Sequence, residues 1–361
     1  MQFVDLKRQY EEYKSEIDEA MQAVIDGTRF INGEEVKLLE AELSEFSGAK
    51  HSIGCASGTD ALLVPLMAKG VKPGDEIIVP AFTYIATGTM VAHWGAKPVF
   101  VDVDPVSFNI DPGKIEEKIT ERTRGIFAVS LYGQPADFQA INALAEKHGL
   151  WVLEDGAQSF GARMGNKRSC DLSHLATTSF FPAKPLGCYG DGGAIFTDDD
   201  VTAALMRQLI NHGQVKRYYH KHVGINGRLD TIQAAVLRVK LRHFQREIEL
   251  RQAAASYYSE QLKDMVQTPQ IADDRDSTWA QYTIRVPNRD QVRQKLQEQG
   301  VPTSVHYPMP LNRQEAFAYL GDDTHYEVAE TLASEVLSLP MHAFISREDQ
   351  NTVIQALGRG L

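Results

Sequence analysis

The chain predicts an α/β fold: a large domain with a mainly parallel sheet between helices, then a smaller C-terminal α+β domain. Three observations carry this. Short apolar runs alternate with helix-like stretches through the first half, which argues for a parallel sheet covered on both faces. A long helical stretch opening at Asp230 ends that alternation. The length, 361 residues, exceeds what one core usually spans.

The elements follow in order. Leu6, Tyr10, Tyr13, Ile17, Met21 and Val24 recur at three- and four-residue spacing and predict an amphipathic helix. Val36, Leu39, Leu43 and Phe46 mark a second. Strands are predicted at IIVP (77–80), PVFVDVD (98–104), GIFAVS (125–130), WVLED (151–155), TTSFF (177–181) and GAIFT (193–197). The stretch DTIQAAVLRVKLRHFQREIELRQAAASYYSEQL is helical, and the domain junction is placed within it near residue 245, giving domains 1–245 and 246–361. Further strands are predicted at QYTIRV (281–286), VPTSVHY (301–307) and SLPMH (338–342). A last helix begins at Ser346, with Asp349 in capping-box position.

Composition narrows the function. Apolar residues make up 43% and charged residues 24%, ordinary for a soluble globular protein. A net charge of −11 disfavours nucleic acid or an anionic membrane as the main partner. An anionic substrate is still compatible with it, since local positive charge can line a cleft. Cys55, Cys170 and Cys188 are too few and scattered for a disulfide framework or a zinc site, and imply a reducing compartment. The first residues carry no apolar signal core, and no apolar run approaches membrane-spanning length. A cytoplasmic protein is expected.

Lys184 and Asp155 are the most informative residues. Lys184 sits in FFPAKPLGCYGDGGAIF, just past an apolar run and before a glycine-rich turn; Asp155 ends the run WVLED. A lysine and a carboxylate at the ends of two strands are what pyridoxal phosphate needs: the lysine forms the Schiff base, and the carboxylate pairs with the pyridinium nitrogen. Lysine among apolar neighbours tends to lose its proton, giving the neutral amine required. Taken alone, Lys184 reads more plainly as a surface lysine whose stem covers apolar area, and Asp155 as a helix cap. The pair together favours the cofactor.

Other segments fit that pairing. In ASGTDALLVPL, Ser57, Gly58 and Thr59 precede an apolar helix whose free amides and dipole suit a phosphate. By itself this is as well an ordinary cap. Phe82 and Tyr84 in PAFTYIAT lie where a strand turns into a loop, placed to stack on a flat ring or to fill core. Gln158 is in reach of the same ring, and Ser179 can donate to a phosphate oxygen. VGINGRLD holds Asn226, Arg228 and Asp230, with Arg228 an anion clamp or a solvated surface group. HGQVKRYYHKH (212–222) is basic and aromatic and reads equally as a solvated loop. His306 and Tyr307 in SVHYPMPL are substrate contacts or buried polar residues, with nothing to choose between them. Metal motifs and the GxSxG elbow are absent.

In combination, FVDLKRQY, FINGEEV, ASGTDAL, PAFTYIATG, SLYGQPAD, EDGAQSFGA, SFFPAKPLGCYGDGGA, GINGRLDTIQAAVL and VPTSVHYP resemble the DegT/StrS-type nucleotide-sugar aminotransferases over nearly the whole chain. KPLGCYGDGGAIF and VPTSVHYPMPLN look closest to the bacterial members that aminate UDP-2-acetamido-2-deoxy-3-oxo-glucuronate. The resemblance implies a type I aminotransferase fold and a homodimer with both active sites at its interface. Lys184 would be the Schiff-base lysine and Asp155 the pyridinium partner. Tyr84 would stack on the ring beside Gln158. Gly58, Thr59, the Asp60 amide and Ser179 would hold the phosphate, and Asn226 would reach the phosphate of the neighbouring subunit. Arg228, His306 and Tyr307 would face the sugar, with FING (30–33) bordering the pocket. L-Glutamate would donate the amine and leave as 2-oxoglutarate, with pyridoxamine phosphate carrying the amine between half-reactions. The product would be an amino sugar for surface polysaccharide. Gly156, Pro185 and Ser130 depart from residues common in the family; none touches the bond-making lysine, and the last two bear on subgroup rather than reaction. The alternatives are amination of a 4-keto nucleotide sugar, a sugar dehydratase, and a non-catalytic cofactor-binding regulator. Dehydratases of this kind tend to carry His at the lysine position, so Lys184 argues against that reading.

Overall fold

The computed structural model describes residues 1–361. Helix α1 (Leu6–Gly27) starts where the Asp5 carboxylate accepts the Arg8 amide, at 3.0 Å. Helix α2 (Glu34–Ser47) ends at Gly48 in the left-handed region. The main body then alternates: β1 (His51–Cys55), α3 (Gly58–Ala68), β2 (Glu76–Pro80), α4 (Ala86–His93), β3 (Lys97–Val101), β4 (Thr123–Val129), α5 (Phe138–His148) and β5 (Trp151–Asp155). A hairpin of β6 (Arg163–Met164) and β7 (Lys167–Arg168) leads to β8 (Leu175–Ser179) and β9 (Gly193–Thr197). Helix α6 (Asp200–Leu209), the hairpin β10 (Gln214–Lys216) and β11 (Tyr219–His220), and the long α7 (Thr231–Leu262) follow.

Seven strands form one sheet in the order β1-β9-β8-β5-β4-β2-β3. Strands β8, β5, β4, β2 and β3 are parallel, and β9 runs against both β8 and β1. Strand β1 was not among the predicted strands, because HSIGC has too short an apolar pattern to stand out. The register aligns the ends that matter. Val129 lies opposite Asp155, Asp155 opposite Thr177, and Gly193 opposite both Ser179 and Cys55. The tips of β4, β5, β8 and β1 therefore share one edge of the sheet, where open α/β sheets bind ligands. Buried aromatics such as Phe100, Phe127 and Phe196 hold the sheet to its helices, each contributing roughly 1.5–3 kcal/mol.

The last third is built from β12 (Tyr282–Arg285), α8 (Arg289–Glu298), α9 (Glu327–Glu335), β13 (Val336–Leu339) and α10 (Arg347–Gly360). Strands β12 and β13 pair antiparallel. Tyr258 and Leu262 of α7, Tyr282, Leu296 and Val353 close a core of their own. Helix α7 is continuous through residue 245, with Phe244 and Ile248 in the core under the main sheet and Ala255 and Tyr258 in this one. Two strand expectations are corrected. VPTSVHY makes only a bridge, Ser304 to Ser338, since proline rings at 302 and 308 remove ladder donors. SLPMH is strand only to Leu339, where Pro340 ends it. The last helix is capped by Ser346, whose Oγ accepts the Asp349 amide at 3.0 Å.

A polar seam is buried between α1 and α7. Gln9 Nε2 donates to both oxygens of Glu247, at 2.9 and 2.9 Å, while Lys240 lies deeper along the same helix. No helix is long and apolar enough to cross a membrane.

Candidate active site

A cleft of about 440 Å³ opens at the shared edge of the sheet. Gly58, Thr59, Tyr84, Asp155, Gln158, Ser179, Lys184, His306 and Tyr307 all line it. The topology explains this convergence: β5 delivers Asp155, β8 delivers Ser179, and the turn after β8 delivers Lys184.

One end of the cleft is suited to an anion. Ser57 caps α3, its Oγ accepting the Asp60 amide at 3.0 Å and its carbonyl accepting the Ala61 amide at 3.0 Å. The amides of Gly58 and Thr59, first in the helix, have no place in the helical ladder and stay available. Asp60, expected to offer its amide to a phosphate, uses it on the cap. A Cβ on Gly58 would lie 2.6 Å from the Ser179 Cβ, so only glycine lets the helix tip approach the β8 tip this closely.

At the middle stand the two ionisable groups. Asp155 is buried, and burial pushes its carboxyl above the ordinary range. The Ala157 amide at 3.1 Å, the Lys184 charge and the Thr87 hydroxyl at 3.3 Å oppose that rise. Burial lowers the Lys184 amine, and Asp155 partly offsets the effect. The Lys184 backbone is fixed by its amide donating to the Phe181 carbonyl at 2.8 Å. Gly156, a departure from the family pattern, lies against the loop behind: a Cβ there would come 2.8 Å from Cys170 Sγ.

The far wall comes from the last third of the chain. Gln158 accepts the Tyr132 amide at 2.6 Å and donates to the Tyr307 hydroxyl at 3.2 Å. The His306 ring is tied to Ser338 Oγ at 2.8 Å and Ser304 Oγ at 3.4 Å, and burial lowers its pKa to about 4. His306 is thus neutral near pH 7. The Tyr84 ring sits at the rim, 55% exposed and 6.0 Å from that of Tyr307.

Asn226 and Arg228 are not brought to this cleft. Arg228 lines a separate hollow with Asn32, Glu40, Arg207 and Asn211, and its Nη1 donates to Asn211 Oδ1 at 2.8 Å. Asn226 bridges to Asn211. Conversely, Thr83, Thr87 and Gln281 belong to the site yet were not singled out from sequence. Thr87 had a weak signal, one helical turn past Tyr84 in PAFTYIAT; Gln281 had none.

The donor set fits pyridoxal phosphate. Two free amides and a hydroxyl can receive its phosphate, a buried carboxylate its ring nitrogen, and a lysine whose amine is lowered by burial its carbonyl carbon. A chain with a mainly parallel sheet, a lysine and an acid at adjacent strand tips, and a helix start packed beside the β8 tip is of the aminotransferase class.

The comparisons agree. The DegT/DnrJ/EryC1/StrS aminotransferase family pattern matches residues 11–358, and the chain belongs to that family. It is 52% identical over 358 residues to the UDP-2-acetamido-2-deoxy-3-oxo-D-glucuronate aminotransferase of Pseudomonas aeruginosa, covering 99% of each chain. It superposes on S. venezuelae DesV, solved in complex with a ketimine intermediate, with a TM-score of 0.96 and 40% identity, covering 99% of this chain and 97% of that one. It also superposes on NtdA from Bacillus subtilis with bound cofactor PMP, with a TM-score of 0.93 and 30% identity, covering 99% and 84%. The chain is a pyridoxal-phosphate-dependent aminotransferase.

Proposed function

We propose that this enzyme moves the amino group of L-glutamate onto UDP-2-acetamido-2-deoxy-3-oxo-glucuronate, yielding a 3-amino sugar for surface polysaccharide in the cytoplasm. The observation that carries the reaction is Lys184, lowered by burial beside Asp155 at the open edge of the sheet. The sugar is supported by the likeness to the Pseudomonas enzyme.

Each residue then has a task. When bound, pyridoxal phosphate supplies an electron sink that lets the C–H bond next to nitrogen ionise. Lys184, as a free neutral amine, takes that proton from one carbon and returns it to another. Asp155 holds a proton on the ring nitrogen. The Gly58 and Thr59 amides and Ser179 Oγ would hold its phosphate, Gln158 and Tyr307 would flank its ring, and Tyr84 would stack on it. His306 and Tyr307 border the sugar.

We assign Asn226 and Arg228 to the cleft of a second copy in a homodimer. Their absence from the lining of their own cleft supports this, as do the exposed apolar side chains of Phe30, Ile31 and Phe181. We assign residues 1–245 to the cofactor-binding domain and 246–361 to the smaller one; the separate core beginning at Ala254 supports the division.

The test is an absorbance spectrum of the cofactor-loaded protein before and after L-glutamate. A visible band giving way to a near-ultraviolet one is expected. A band that ignores glutamate overturns the choice of donor, and failure to aminate the 3-keto sugar afterwards overturns the choice of acceptor.

A further inference from the structure

His306 is the one imidazole lining the cleft. Which of its ring nitrogens carries the proton decides whether it offers a ligand an acceptor or a donor. Burial holds its pKa at about 4, so near pH 7 only one nitrogen is protonated.

A ring of buried hydroxyls runs behind it. His306 Nδ1 lies 2.8 Å from Ser338 Oγ, which lies 2.9 Å from Thr283 Oγ1. Thr283 and Ser338 are paired across β12 and β13. The Thr283 hydroxyl hydrogen-bonds that of Tyr132, and Tyr132 donates to the His306 carbonyl, which closes the circuit on the residue where it began. The backbone is fixed as well. Ser304 and Ser338 exchange amide bonds at 3.1 and 2.8 Å, and the Gln281 amide, just before β12, donates to the Tyr132 carbonyl at 3.4 Å. Tyr132, Thr283 and Ser338 are all buried, so bulk water supplies no missing proton.

The protons can be counted. Four contacts need four protons, and three hydroxyls supply three. A carbonyl has none, so the Tyr132 proton goes there. The Tyr132 oxygen then accepts from Thr283, Thr283 accepts from Ser338, and Ser338 accepts from His306 Nδ1. With a bare Nδ1, one contact would set two lone pairs against each other, in a buried place where that is disfavoured. The other ring nitrogen, Nε2, has Ser304 Oγ at 3.4 Å, a long contact that leaves room for a closer donor.

We propose that Thr283 and Ser338 are positioning residues that hold His306 as its Nδ1–H tautomer, so that Nε2 meets a sugar hydroxyl as a bare acceptor. The hydroxyl rests on the nucleotide-sugar reading above; the tautomer does not. A phosphate or carboxylate oxygen has no proton to give and is disfavoured at this point.

The tautomer is read by nitrogen-15 NMR of the histidine rings in the cofactor-loaded protein without sugar, with His306 assigned by its absence in His306→Asn. Wild type should show a protonated Nδ1 and a bare Nε2. Thr283→Val leaves the Ser338 proton no acceptor but Nδ1, so the tautomer should switch to Nε2–H. Thr283→Ser keeps the hydroxyl and should keep the wild-type form. With the keto-sugar as acceptor, Thr283→Val should raise KM about tenfold, with a smaller effect on kcat, and Thr283→Ser should not raise it. A protonated Nε2 in wild type, or an unchanged tautomer in Thr283→Val, overturns the positioning. A switched tautomer with unmoved KM overturns the acceptor role of Nε2. If Thr283→Val does not fold, wild type and Thr283→Ser still decide the tautomer. A protein that reacts with glutamate, shows the expected tautomer and aminates no nucleotide sugar contradicts the sugar reading alone.

Discussion

The cleft and the seam under α1 each bury a lysine near a carboxylate, yet they are built to opposite ends. In the seam, Lys240 Nζ donates to the Gly187 carbonyl at 2.7 Å and lies 4.4 Å from the centre of the Tyr189 ring. Glu247 accepts twice from Gln9. In the cleft, Lys184 has Asp155 as a neighbouring charge, and the space around both is open to a ligand. Burial lowers both amines, Lys240 to about 8. Burial alone thus does not make a lysine reactive. The difference is whether its donors are already engaged.

The sharpest way to break this contrast is Lys184→Ala. Turnover should fall by at least about 10⁴-fold, the upper range for a positioned acid–base group, while the melting temperature holds or rises. Amino transfer and a thermal melt check the two halves; measurable turnover near wild type would end the distinction.

Next is Asp155→Asn, which should slow turnover by about 10²–10³-fold with cofactor still bound. Wild-type kinetics would make Asp155 a structural acid like Glu247.

In the seam the prediction reverses. Gln9→Leu strips Glu247 of both its charge-assisted bonds and should cost about 1.5–3 kcal/mol of stability, read as a lower denaturation midpoint at unchanged slope. The cofactor band should not change. A variant as stable as wild type would show the seam is not held by that pair.

The smallest effect concerns pH. His342, buried near Arg251, is lowered from 6.5 to about 4, first by burial and then by the arginine charge. Its folded pKa lies below the unfolded one, so its contribution is full above pH 6.5 and is lost as pH falls toward 4. Glu154, raised to about 7 by burial, acts in the opposite sense across part of that window and blunts the slope. Wild type should therefore lose more stability than His342→Asn between pH 7 and 5. Parallel curves in denaturant titrations would refute this.

The sequence made the cleft's sheet side legible and its far wall much less so. Asp155, Ser179 and Lys184 lie at strand tips, and a strand tip announces itself as an apolar run ending in a polar residue. The Ser57–Thr59 helix start carries a local capping signal. His306 and Tyr307 stood out only as polar residues before prolines, and Gln281 not at all, because their position depends on the last third folding back through Tyr132. Such contacts leave no periodicity. That Arg228 lines a separate hollow was likewise hidden, since a loop motif does not say which surface it faces. VPTSVHY misled because its β-branched residues suit a strand, while its prolines and lack of a full partner do not.

Helix α7 has a consequence for how such proteins diversify. At 32 residues it spans about 48 Å, and a single rod serves as a beam for both cores. A recombination that swapped the final third between relatives would cut that beam and would have to match its phase on both sides. Inherited variety in this lineage is therefore expected to accumulate residue by residue around the mouth of the cleft, with whole segments seldom exchanged.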